Sequence, residues 1–468
     1  MKLTLLGGGG FRTPTIYRAL AVGLPGLPQV DEVVLHDVDP QRLRVIATIL
    51  AQLRGRSDSA PPVRISEDLD DAVAGADAVF LAIRVGGVTG RVHDERVALD
   101  LGLLGQETTG PGGIAFGLRT IPVVLDIAGR IAELAPGALV VNFTNPAGMI
   151  TEALRTVLGE RVVGICDTPA DLIARVAQAA GIDPAAPSGA GAEPDYVGLN
   201  HLGWLRGLRS NGRDVLPDLL ADPGRLATLQ EAKVFGPDWL QATGCIPNEY
   251  LWYWYDTREA THAILTASRT RGEVLRQQQD SFYASVTDDP SDAAIRWERF
   301  LNARSAGYMA EAKAVSGTAT KPAPGVSAEA GDGPGGVGSQ GYAGVALAVL
   351  AATAGGPPAT LVLNVANRGT VSALPDDAVI EVPATVDGDG IRPLPLRAQP
   401  DLHQLGLMAA VKAVDQLAIR AATTGSAELA MRAFAVHPLV DSLAVAADLL
   451  AGYRAQIPEV DAIFTDPG

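Results

Sequence analysis

The chain begins MKLTLLGGGGFRTPTIYRALAVGL over residues 1–24, and this stretch decides the fold class. The apolar run at residues 2–6 predicts a short buried strand, and residues 15–24 have the pattern of a helix. Glycines at such a turn let a pyrophosphate approach backbone N–H groups at the helix N-terminus. The segment therefore predicts a dinucleotide-binding βαβ unit with Arg12 in place of the third glycine of the fingerprint. The predicted turn consists of Gly7, Gly8, Gly9, Gly10, Phe11 and Arg12.

Strand-like and helical segments alternate through the rest of the N-terminal third. Apolar runs at 33–36, 77–84, 138–143 and 161–166 predict strands, and helical patterns such as 40–53 lie between them. This alternation is typical of parallel βαβ units. We therefore expect a Rossmann-like, doubly wound parallel α/β domain over residues 1–168.

The pattern changes in the C-terminal part. Residues 195–208 predict a strand pair, 236–315 are rich in helical patterns, and a helix from Tyr342 precedes the strand-like run 361–367. Residues 318–341 are dominated by Gly, Pro, Ser and Ala, a composition that predicts a mobile loop. We expect residues 169–468 to form an α+β domain for catalysis, substrate binding and oligomerisation.

Composition excludes several classes of partner. The formal net charge is −16, so the chain has no electrostatic footprint for nucleic acid or anionic lipid. The two cysteines, Cys166 and Cys245, are too few for a disulfide framework and fit a reducing compartment. No uninterrupted apolar stretch reaches the roughly 18 residues of a membrane span. We expect a cytoplasmic protein with no nucleic-acid or membrane partner.

Asp37 ends the second predicted strand, where an acid can accept hydrogen bonds from ribose hydroxyls. An acid at this position favours NAD over NADP. The alternative is that Asp37 only caps the helix that begins near Pro40, although Asp39 is better placed to do so.

Further polar residues follow other predicted strands, at the sheet edge where doubly wound folds bind ligands. Cys166 and His201 together offer a thiolate and an imidazole, which suit Mn, Fe, Co or Zn and leave positions open for substrate. Taken singly, each is more typical of an ordinary core residue. Glu107 lies in a glycine-rich loop that can cover a ligand, and Tyr250, in an aromatic run, can serve as a base.

Taken together, these segments resemble glycoside hydrolase family 4, the NAD- and metal-dependent glycosidases, over nearly the whole chain. Within the family the resemblance is closest to the 6-phospho-β-glucosidases. It is carried by the glycine turn and by IRVGG at 83–87, GQETTGPGG at 105–113, NFTNPAG at 142–148, CDTP at 166–169, GLNH at 198–201, PNEYLWYWY at 247–255, RTRGEV at 269–274 and VPATV at 382–386.

The resemblance implies a role for individual residues. Cys166 and His201 match the metal ligands, usually of manganese, and Tyr250 matches the catalytic base. Asp167 matches an acid that protonates the leaving group in the phospho-α branch. The residues expected to contact substrate are Arg84, Glu107, Asn145, Asn200 and Arg271, and Arg84 is also expected to contact the cofactor.

The implied reaction is hydrolysis by NAD-dependent oxidation at C3, deprotonation at C2, elimination of the aglycon and addition of water. The implied fold is similar to that of lactate and malate dehydrogenases, and a homodimer or homotetramer is expected. The sequence Cys166-Asp167-Thr168-Pro169 is nearer the phospho-α pattern, so a 6-phospho-α-glucosidase stays open. A glycosidase of non-phosphorylated sugars also stays open, because a 6-phosphate needs local cations, for which Arg12, Arg84, Arg271 and Arg304 are candidates.

Two other classes of function also stay open. An NAD-dependent 2-hydroxy-acid dehydrogenase shares the N-terminal fold and needs an Asp–His pair, for which Asp167 and His201 are candidates. That interpretation assigns no role to Cys166 or to the aromatic run. A non-catalytic NAD-binding regulator would account for the altered Phe11-Arg12 turn but leaves Cys166, His201 and Tyr250 unexplained.

Overall fold

A mixed β-sheet forms the centre of the molecule. The structure is a computed structural model that describes residues 1–57, 59–182, 192–306 and 341–465, and in this part of the chain the sheet has 13 strands. The strands are β1 Lys2–Leu6, β2 Glu32–His36, β3 Val63–Ser66, β4 Ala78–Leu81, β5 Leu139–Asn142, β6 Val162–Gly164, β7 Glu193–Leu199, β8 Leu202–Ser210, β9 Arg213–Asp214, β10 Ile246–Pro247, β11 Ala359–Ala366, β12 Val379–Asp387 and β13 Gly390–Pro393.

Helices connect and cover these strands. They are α1 Thr13–Val22, α2 Pro40–Arg54, α3 Leu69–Val73, α4 Gly87–Asp100, α5 Pro111–Leu134, α6 Ala147–Leu158, α7 Thr168–Ala179, α8 Leu216–Leu220, α9 Pro223–Leu226, α10 Gln230–Phe235, α11 Pro237–Thr243, α12 Trp252–Tyr255, α13 Thr257–Thr266, α14 Arg271–Asp288, α15 Ala293–Ala306, α16 Tyr342–Thr353, α17 Leu402–Thr424, α18 Ala427–Val436, α19 Leu443–Gln456 and α20 Pro458–Thr465. Two 3₁₀ turns, Gly159–Arg161 and Glu249–Leu251, complete the described elements.

The first six strands are parallel and lie in the order β3-β2-β1-β4-β5-β6. This is the strand order of a Rossmann fold. Successive residues of a strand point to opposite faces, and β4 shows the result: Phe80 packs into one hydrophobic core and Val79 into another. The predicted doubly wound α/β fold is therefore confirmed.

The sheet continues beyond β6 with antiparallel strands. β6 pairs with β11, and the order then runs β11-β12-β7-β8-β10. β11 and β12 come from the end of the chain, yet they lie between β6 and β7. The α+β architecture predicted for the C-terminal part is present, and the sheet crosses the predicted domain boundary at residue 168 without a break. The division into 1–168 and 169–468 stays a prediction.

Several element boundaries differ from the expectations. The helix expected at 15–24 occupies Thr13–Val22, because Pro14 suits the first turn and Gly23, with φ of 76°, ends the helix. The strand expected at 77–84 stops at Leu81, so Arg84 lies in the following turn. β3 and β12 were not foreseen. The loop predicted at 318–341 lies, except for Gly341, outside the described residues, as does the end of the segment 236–315.

Candidate active site

The glycine turn fits closely between the ends of β1 and β4. Gly7 has φ of +84°, and a Cβ there would lie 2.3 Å from the carbonyl oxygen of Ala82. Only glycine tolerates both the left-handed backbone and the close approach. The N–H groups of Gly7 and Gly8 both donate to the carbonyl of His36, at 2.9 and 2.8 Å. The turn is thus held against the ends of two strands, as a dinucleotide-binding loop is.

Asp37 and Asp39 accept hydrogen bonds from different parts of the backbone. Asp39 caps α2 by accepting hydrogen bonds from the N–H groups of Gln41 and Arg42, both at 3.0 Å. Asp37 instead accepts from the N–H groups of Gly9 and Asp39, at 2.9 and 3.0 Å. The carboxylate of Asp37 therefore belongs to the glycine turn, which places it where a ribose-binding acid is expected.

Side chains from α14 and α15 support the same turn. The hydroxyl of Tyr283 donates to the carbonyl of Gly9 at 2.6 Å, and Trp297 Nε1 donates to the carbonyl of Phe11 at 2.8 Å. The Phe11 ring packs edge-on against Phe300, with centroids 5.7 Å apart. The Phe11 side chain is therefore packed into the support of the turn. These contacts join segments far apart in the chain, so local sequence patterns do not reveal them.

Arg12, which stands in place of the third glycine of the fingerprint, lies beside α16. Its guanidinium carbon is 4.6 Å from the ring centroid of Tyr342, a distance at which a cation is attracted to an aromatic face. Tyr342 lines the same cavity as the glycine turn, and its place in the site was also not foreseen.

One cavity of about 850 Å³ brings together most of the predicted residues, but Gly8, Cys166, Asp167 and Asn200 do not line it. A volume of this size is typical of a ligand site. Its wall includes most of the predicted cofactor and substrate residues, and Asp37 and Tyr250 both contribute to it. The predicted residues that line it are Gly7, Gly9, Gly10, Phe11, Arg12, Asp37, Arg84, Glu107, Asn145, His201, Tyr250 and Arg271.

Glu107 is held between two arginines in this cavity. Arg84 donates to one carboxylate oxygen at 2.7 Å and Arg91 donates to the other at 2.6 Å. Burial by itself would raise the pKa of Glu107, but the two guanidinium groups outweigh it and lower the pKa to about 2. Glu107 is therefore ionised at neutral pH. Its carboxylate fixes the direction of the Arg84 side chain, a contact that the sequence did not reveal.

Arg271 is the first residue of α14 and is held by contacts with α4. The N–H of Gly272 donates to Glu95 at 2.8 Å, and Arg96 forms a bidentate ion pair with Glu273 at 2.9 and 2.7 Å. A capping box between Thr270 and Glu273 starts the helix. These contacts hold Arg271 on the wall that also carries Arg84.

His201 occupies the turn between β7 and β8 and stacks on Tyr250. The two rings are parallel within 2°, with centroids 3.8 Å apart. The backbone of His201 has φ of 62°, which is uncommon for a residue with a side chain. The predicted metal ligand and the predicted base are therefore direct neighbours, although 48 other residues separate them in sequence.

The hydrogen bonds around His201 select one tautomer. The side-chain oxygen of Gln106 accepts from the N–H groups of Thr108 and Thr109, so it acts only as an acceptor. The Thr108 hydroxyl then donates to Gln106 at 3.1 Å and accepts from Nδ1–H of His201 at 2.9 Å. Nδ1 therefore carries the proton, and Nε2 is left with the lone pair that a metal ion needs.

Cys166 is buried directly after β6. Its sulfur lies 3.5 Å from the Thr168 hydroxyl, and burial together with the charges of Glu381 and Asp167 raises the pKa of the thiol. Asp167 is half-buried and occupies the N-cap position of α7. Within the described ranges, Cys166 and His201 do not belong to any group of three His, Cys, Asp or Glu residues placed to hold a metal ion.

The side chain of Asn200 points into the protein framework. Its oxygen accepts from the N–H of Ala147 at 3.1 Å, and its nitrogen donates to Glu381 at 3.4 Å. Both ends of the amide are thus engaged with protein groups, whereas Asn145, in the loop before Ala147, lines the cavity. The structure therefore separates two residues that we expected to contact substrate together.

The sequence matches known models and proteins along almost its whole length. The model described as family 4 glycosyl hydrolase matches residues 2–182, and the model of the family 4 C-terminal domain matches residues 196–440. The probable 6-phospho-beta-glucosidase of Bacillus subtilis (strain 168) is 29% identical over 474 residues, covering 98% of each chain. The maltose-6'-phosphate glucosidase of the same strain is 26% identical, covering 98% of this chain and 97% of the relative.

Solved structures agree with the sequence matches. The 6-phospho-beta glucosidase of Thermotoga maritima, crystallised with manganese, NAD⁺ and glucose-6-phosphate, superposes with a TM-score of 0.77 at 25% identity. The superposition covers 98% of this chain and 99% of that chain. Among the described helices, none combines the length and apolar composition that a membrane crossing requires. The matches to both family models and the shared fold show that this chain belongs to family 4 of the glycosyl hydrolases.

Proposed function

We propose that the chain hydrolyses 6-phospho-β-glucosides with NAD and a divalent metal ion, manganese being the first choice. The observation that carries the proposal is the cavity shared by the glycine turn, by basic residues that include Arg84 and Arg271, and by the stacked pair His201 and Tyr250. The structure of the Thermotoga maritima relative, solved with manganese, NAD⁺ and glucose-6-phosphate, supports this choice of ligands.

The residues at the glycine turn fit a dinucleotide. A Cβ at Gly7 would collide with the backbone of Ala82, so the turn presents bare backbone at the N-terminal end of α1. Asp37, held beside the turn through the N–H of Gly9, is placed to accept hydrogen bonds from ribose hydroxyls. When bound, NAD⁺ supplies a hydride acceptor for C3 of the sugar.

The residues around Cys166 and His201 fit a divalent metal ion. Burial lowers the pKa of His201 to about 4, so the imidazole is neutral at physiological pH, which is the form that binds metals. Its Nδ1 is occupied by Thr108, which leaves Nε2 for the metal. A thiolate and an imidazole suit Mn, Fe, Co or Zn. Such an ion supplies Lewis-acid polarisation of a sugar oxygen.

The chain's own groups would move the protons. We assign to Tyr250 the removal of the C2 proton, which a ketone at C3 makes acidic. Breaking the C1–O bond then releases the aglycon, and Asp167 or water provides the proton that the leaving oxygen takes up. Water adds at C1 and gives its proton to the group that protonated the leaving oxygen, and Tyr250 returns its proton to C2. With NAD bound, the hydride and the hydroxyl proton taken from C3 would both be restored there. The balance is hydrolysis without net oxidation.

Recognition of a 6-phosphate requires local positive charge, because the chain as a whole carries −16. Arg84 and Arg271 line the cavity and are held there by Glu107 and by the α4 contacts. Arginine binds phosphate oxygens through charge-assisted, often bidentate hydrogen bonds. We propose these two residues as the phosphate ligands, with Arg12 and Phe11 forming the pyrophosphate side of the cavity.

A 6-phospho-α-glucosidase is the second candidate, and a specific observation favours it. Asp167 directly follows Cys166, and the two are close enough for the carboxylate to raise the pKa of the thiol. This is the position of the leaving-group acid in the phospho-α branch. Relatives described as phospho-alpha-glucosidase and maltose-6'-phosphate glucosidase match at 25% and 26–27% identity.

One assay separates these candidates. Purified protein is incubated with p-nitrophenyl α- and β-glucosides, each with and without a 6-phosphate, in the presence of NAD⁺ and Mn²⁺. We expect release of p-nitrophenol from the phosphorylated β-substrate with no net NADH. Preference for the α-substrate would select the second candidate, and net NADH formation would select a dehydrogenase. A C2-deuterated substrate should lose its label to solvent.

The assembly state, the cytoplasmic location and the domain boundary at residue 168 remain predictions. Assembly into a homodimer or homotetramer can be checked by light scattering coupled to gel filtration. The C-terminal helices expose large apolar residues, including Leu402 and Leu443, which such an interface would cover.

A further inference from the structure

A row of aligned residues crosses five strands beneath the proposed metal site. Gly164 of β6 is paired with Asn364 of β11, which is paired with Glu381 of β12; Gly198 of β7 and Gly203 of β8 continue the row. The row runs close to the proposed site at both ends: Gly164 lies just before Cys166, and Gly198 and Gly203 flank His201. Two polar side chains thus stand in the middle of the sheet with glycines around them.

Glu381 is the centre of a buried hydrogen-bond network. It is 1% exposed, and its carboxylate accepts from Asn364 at 3.1 Å, from Asn200 at 3.4 Å and from the Tyr196 hydroxyl at 3.0 Å. Burial raises the pKa of Glu381 to about 7, and the three donors oppose that rise. Burying a carboxyl at this point is unfavourable unless its partners are all in place.

One branch of the network leads to Tyr250. The Tyr196 hydroxyl that donates to Glu381 also accepts from the side-chain nitrogen of Asn248, at 3.4 Å. The side-chain oxygen of Asn248 caps the turn Glu249–Leu251 by accepting from the N–H of Tyr250 at 3.0 Å. Glu381 is therefore linked to the backbone of the proposed base through two side chains.

The glycine at position 203 is part of the same construction. A Cβ there would lie 2.2 Å from the Tyr196 hydroxyl, so a side chain would displace the group that joins the two parts of the network. The carbonyl of Gly203 also accepts from the N–H of Asn248 at 2.8 Å. Gly203 therefore both leaves room for the Tyr196 hydroxyl and holds the residue, Asn248, that begins the Tyr250 turn.

The other branch leads to His201. Asn200, the preceding residue, donates to Glu381 and accepts from the N–H of Ala147, so its amide ties the β7–β8 turn to the start of α6. A left-handed backbone at His201 is uncommon and persists where neighbouring contacts enforce it. The hydrogen bond from Asn200 to Glu381 is one contact that holds the backbone at this turn.

We propose that Glu381 is a positioning residue that holds Tyr250 and the metal ligand His201 in a fixed relation. The inference rests on the proposed function. Three donors converge on the two carboxylate oxygens, whereas a glutamine would turn an N–H₂ group towards at least one of them. Glu381→Gln keeps the shape of the side chain and breaks this match. It should therefore disturb both branches while the cofactor end of the cavity is unaffected.

The test compares full-length Glu381→Gln with Glu152→Gln as a matched control. Glu152 is half-buried, and it accepts from the N–H of Val379 on the same strand and from Lys412, outside the proposed site. For each protein, Mn²⁺ affinity is measured from the electron paramagnetic resonance signal of free Mn²⁺, alongside NAD⁺ affinity, kcat, KM and Tm.

We expect Glu381→Gln to weaken Mn²⁺ binding by about tenfold or more and to lower kcat by about 10²-fold. NAD⁺ affinity should stay within about twofold of that of the unmodified chain. Glu152→Gln should lower Tm and leave Mn²⁺ affinity and kcat unchanged. Equal losses in both variants, or normal Mn²⁺ binding and kcat in Glu381→Gln, would overturn the proposal.

Tyr196→Phe provides a second, milder test should Glu381→Gln fail to fold. It removes the hydroxyl that joins Glu381 to Asn248 and leaves Asn364 and Asn200 on the carboxylate, so kcat should fall by about tenfold while Mn²⁺ affinity is retained. Unchanged kcat in this variant would contradict the branch to Tyr250. If the unmodified chain binds Mn²⁺ but hydrolyses no glucoside, the proposed function fails, and the Mn²⁺ affinities of the variants still decide the role of Glu381.

Discussion

The parallel and antiparallel halves of the sheet contribute to the same cavity in different ways. In the parallel half, β1 to β6, the polar residues stand in loops beyond the strands: Asp37 follows β2 and Arg84 follows β4. In the antiparallel half, β7, β8, β11 and β12, the polar residues Tyr196, Asn364 and Glu381 lie inside the strands and are buried.

The difference follows from how the two halves are built. Parallel strands end together at one edge, where helix N-termini and free backbone groups can meet a ligand directly. Antiparallel strands covered on both faces offer no such edge, so a buried polar group there must find partners within the sheet. Substitutions in the first half should therefore change ligand affinity, and substitutions in the second should change the geometry of catalytic groups.

The largest effect is expected for Tyr250→Phe. Loss of the proposed general base should lower kcat by about 10²- to 10⁴-fold, and exchange of the C2 label should stop. NAD⁺ affinity, measured by fluorescence titration, should be unchanged. Tyr255→Phe is the control, because Tyr255 belongs to the same aromatic run but bonds to Trp204 and His403. Comparable kcat in Tyr250→Phe and the unmodified chain would exclude Tyr250 as the base.

Thr108→Val tests the tautomer of His201. Without the hydroxyl, Nδ1 loses its partner, and Mn²⁺ affinity should fall by about 10- to 100-fold, as is usual when a contact behind a ligand is removed. Thr109→Val is the control, because the Thr109 hydroxyl is buried and has no hydrogen-bond partner among the described residues. Isothermal titration with Mn²⁺ measures both. If the two variants bind equally well, the Thr108 contact does not matter.

A pair of glycine substitutions tests the comparison itself. Gly7→Ala places a Cβ against Ala82 in the parallel half, and Gly203→Ala places one against Tyr196 in the antiparallel half. Each should lower the free energy of unfolding by about 1–3 kcal/mol. We expect Gly7→Ala to weaken NAD⁺ binding by about tenfold with Mn²⁺ binding intact.

Gly203→Ala should show the reverse pattern, with lower kcat and weaker Mn²⁺ binding but normal NAD⁺ affinity. Urea unfolding with and without each ligand reports both quantities in one experiment. Equal loss of both ligands in either variant would mean that the two halves are not functionally separate.

The smallest effect concerns stability against pH. His437 is buried beside Trp254, away from the glycine turn, and burial lowers its pKa to about 3. Because the unfolded chain takes up this proton near pH 6.5 and the folded chain does not, the stabilisation is present above that pH and is lost as pH falls. The loss is at most about 1.4 kcal/mol per pH unit. His437→Gln should flatten the dependence of Tm on pH between 6.5 and 4, and an unchanged slope would contradict this.

Much of the parallel half could be predicted from local patterns. The run at residues 2–6 coincides with β1, and the assignment of Asp39 as the helix cap follows from its distance to α2. β3 escaped prediction because it is short and its burial is incomplete. The hydrogen bonds from Tyr283 and Trp297 to the glycine turn were not predicted, because the sequences of their own helices do not indicate which carbonyl groups they contact.

In the site, the sequence indicated residue types but not their partners. Glu107 was expected to meet substrate, and the structure shows it between Arg84 and Arg91. Asn200 was also expected to meet substrate, and its amide is bound to Ala147 and Glu381. Glu381 precedes the segment VPATV, which we noted for its likeness to the family, yet the glutamate itself carried no signal of its place in the network.

The sequence by itself determined the parallel fold, the glycine turn and the membership of Cys166, His201 and Tyr250 in one family pattern. These features depend on short-range periods and spacings, which strand and helix geometry translate directly into structure. Only the tertiary structure decided that β11 and β12 lie between β6 and β7. Local sequence patterns could not reveal this placement, because the paired strands are about 200 residues apart in the chain. The placement pairs Glu381 with Gly198, three residues before His201.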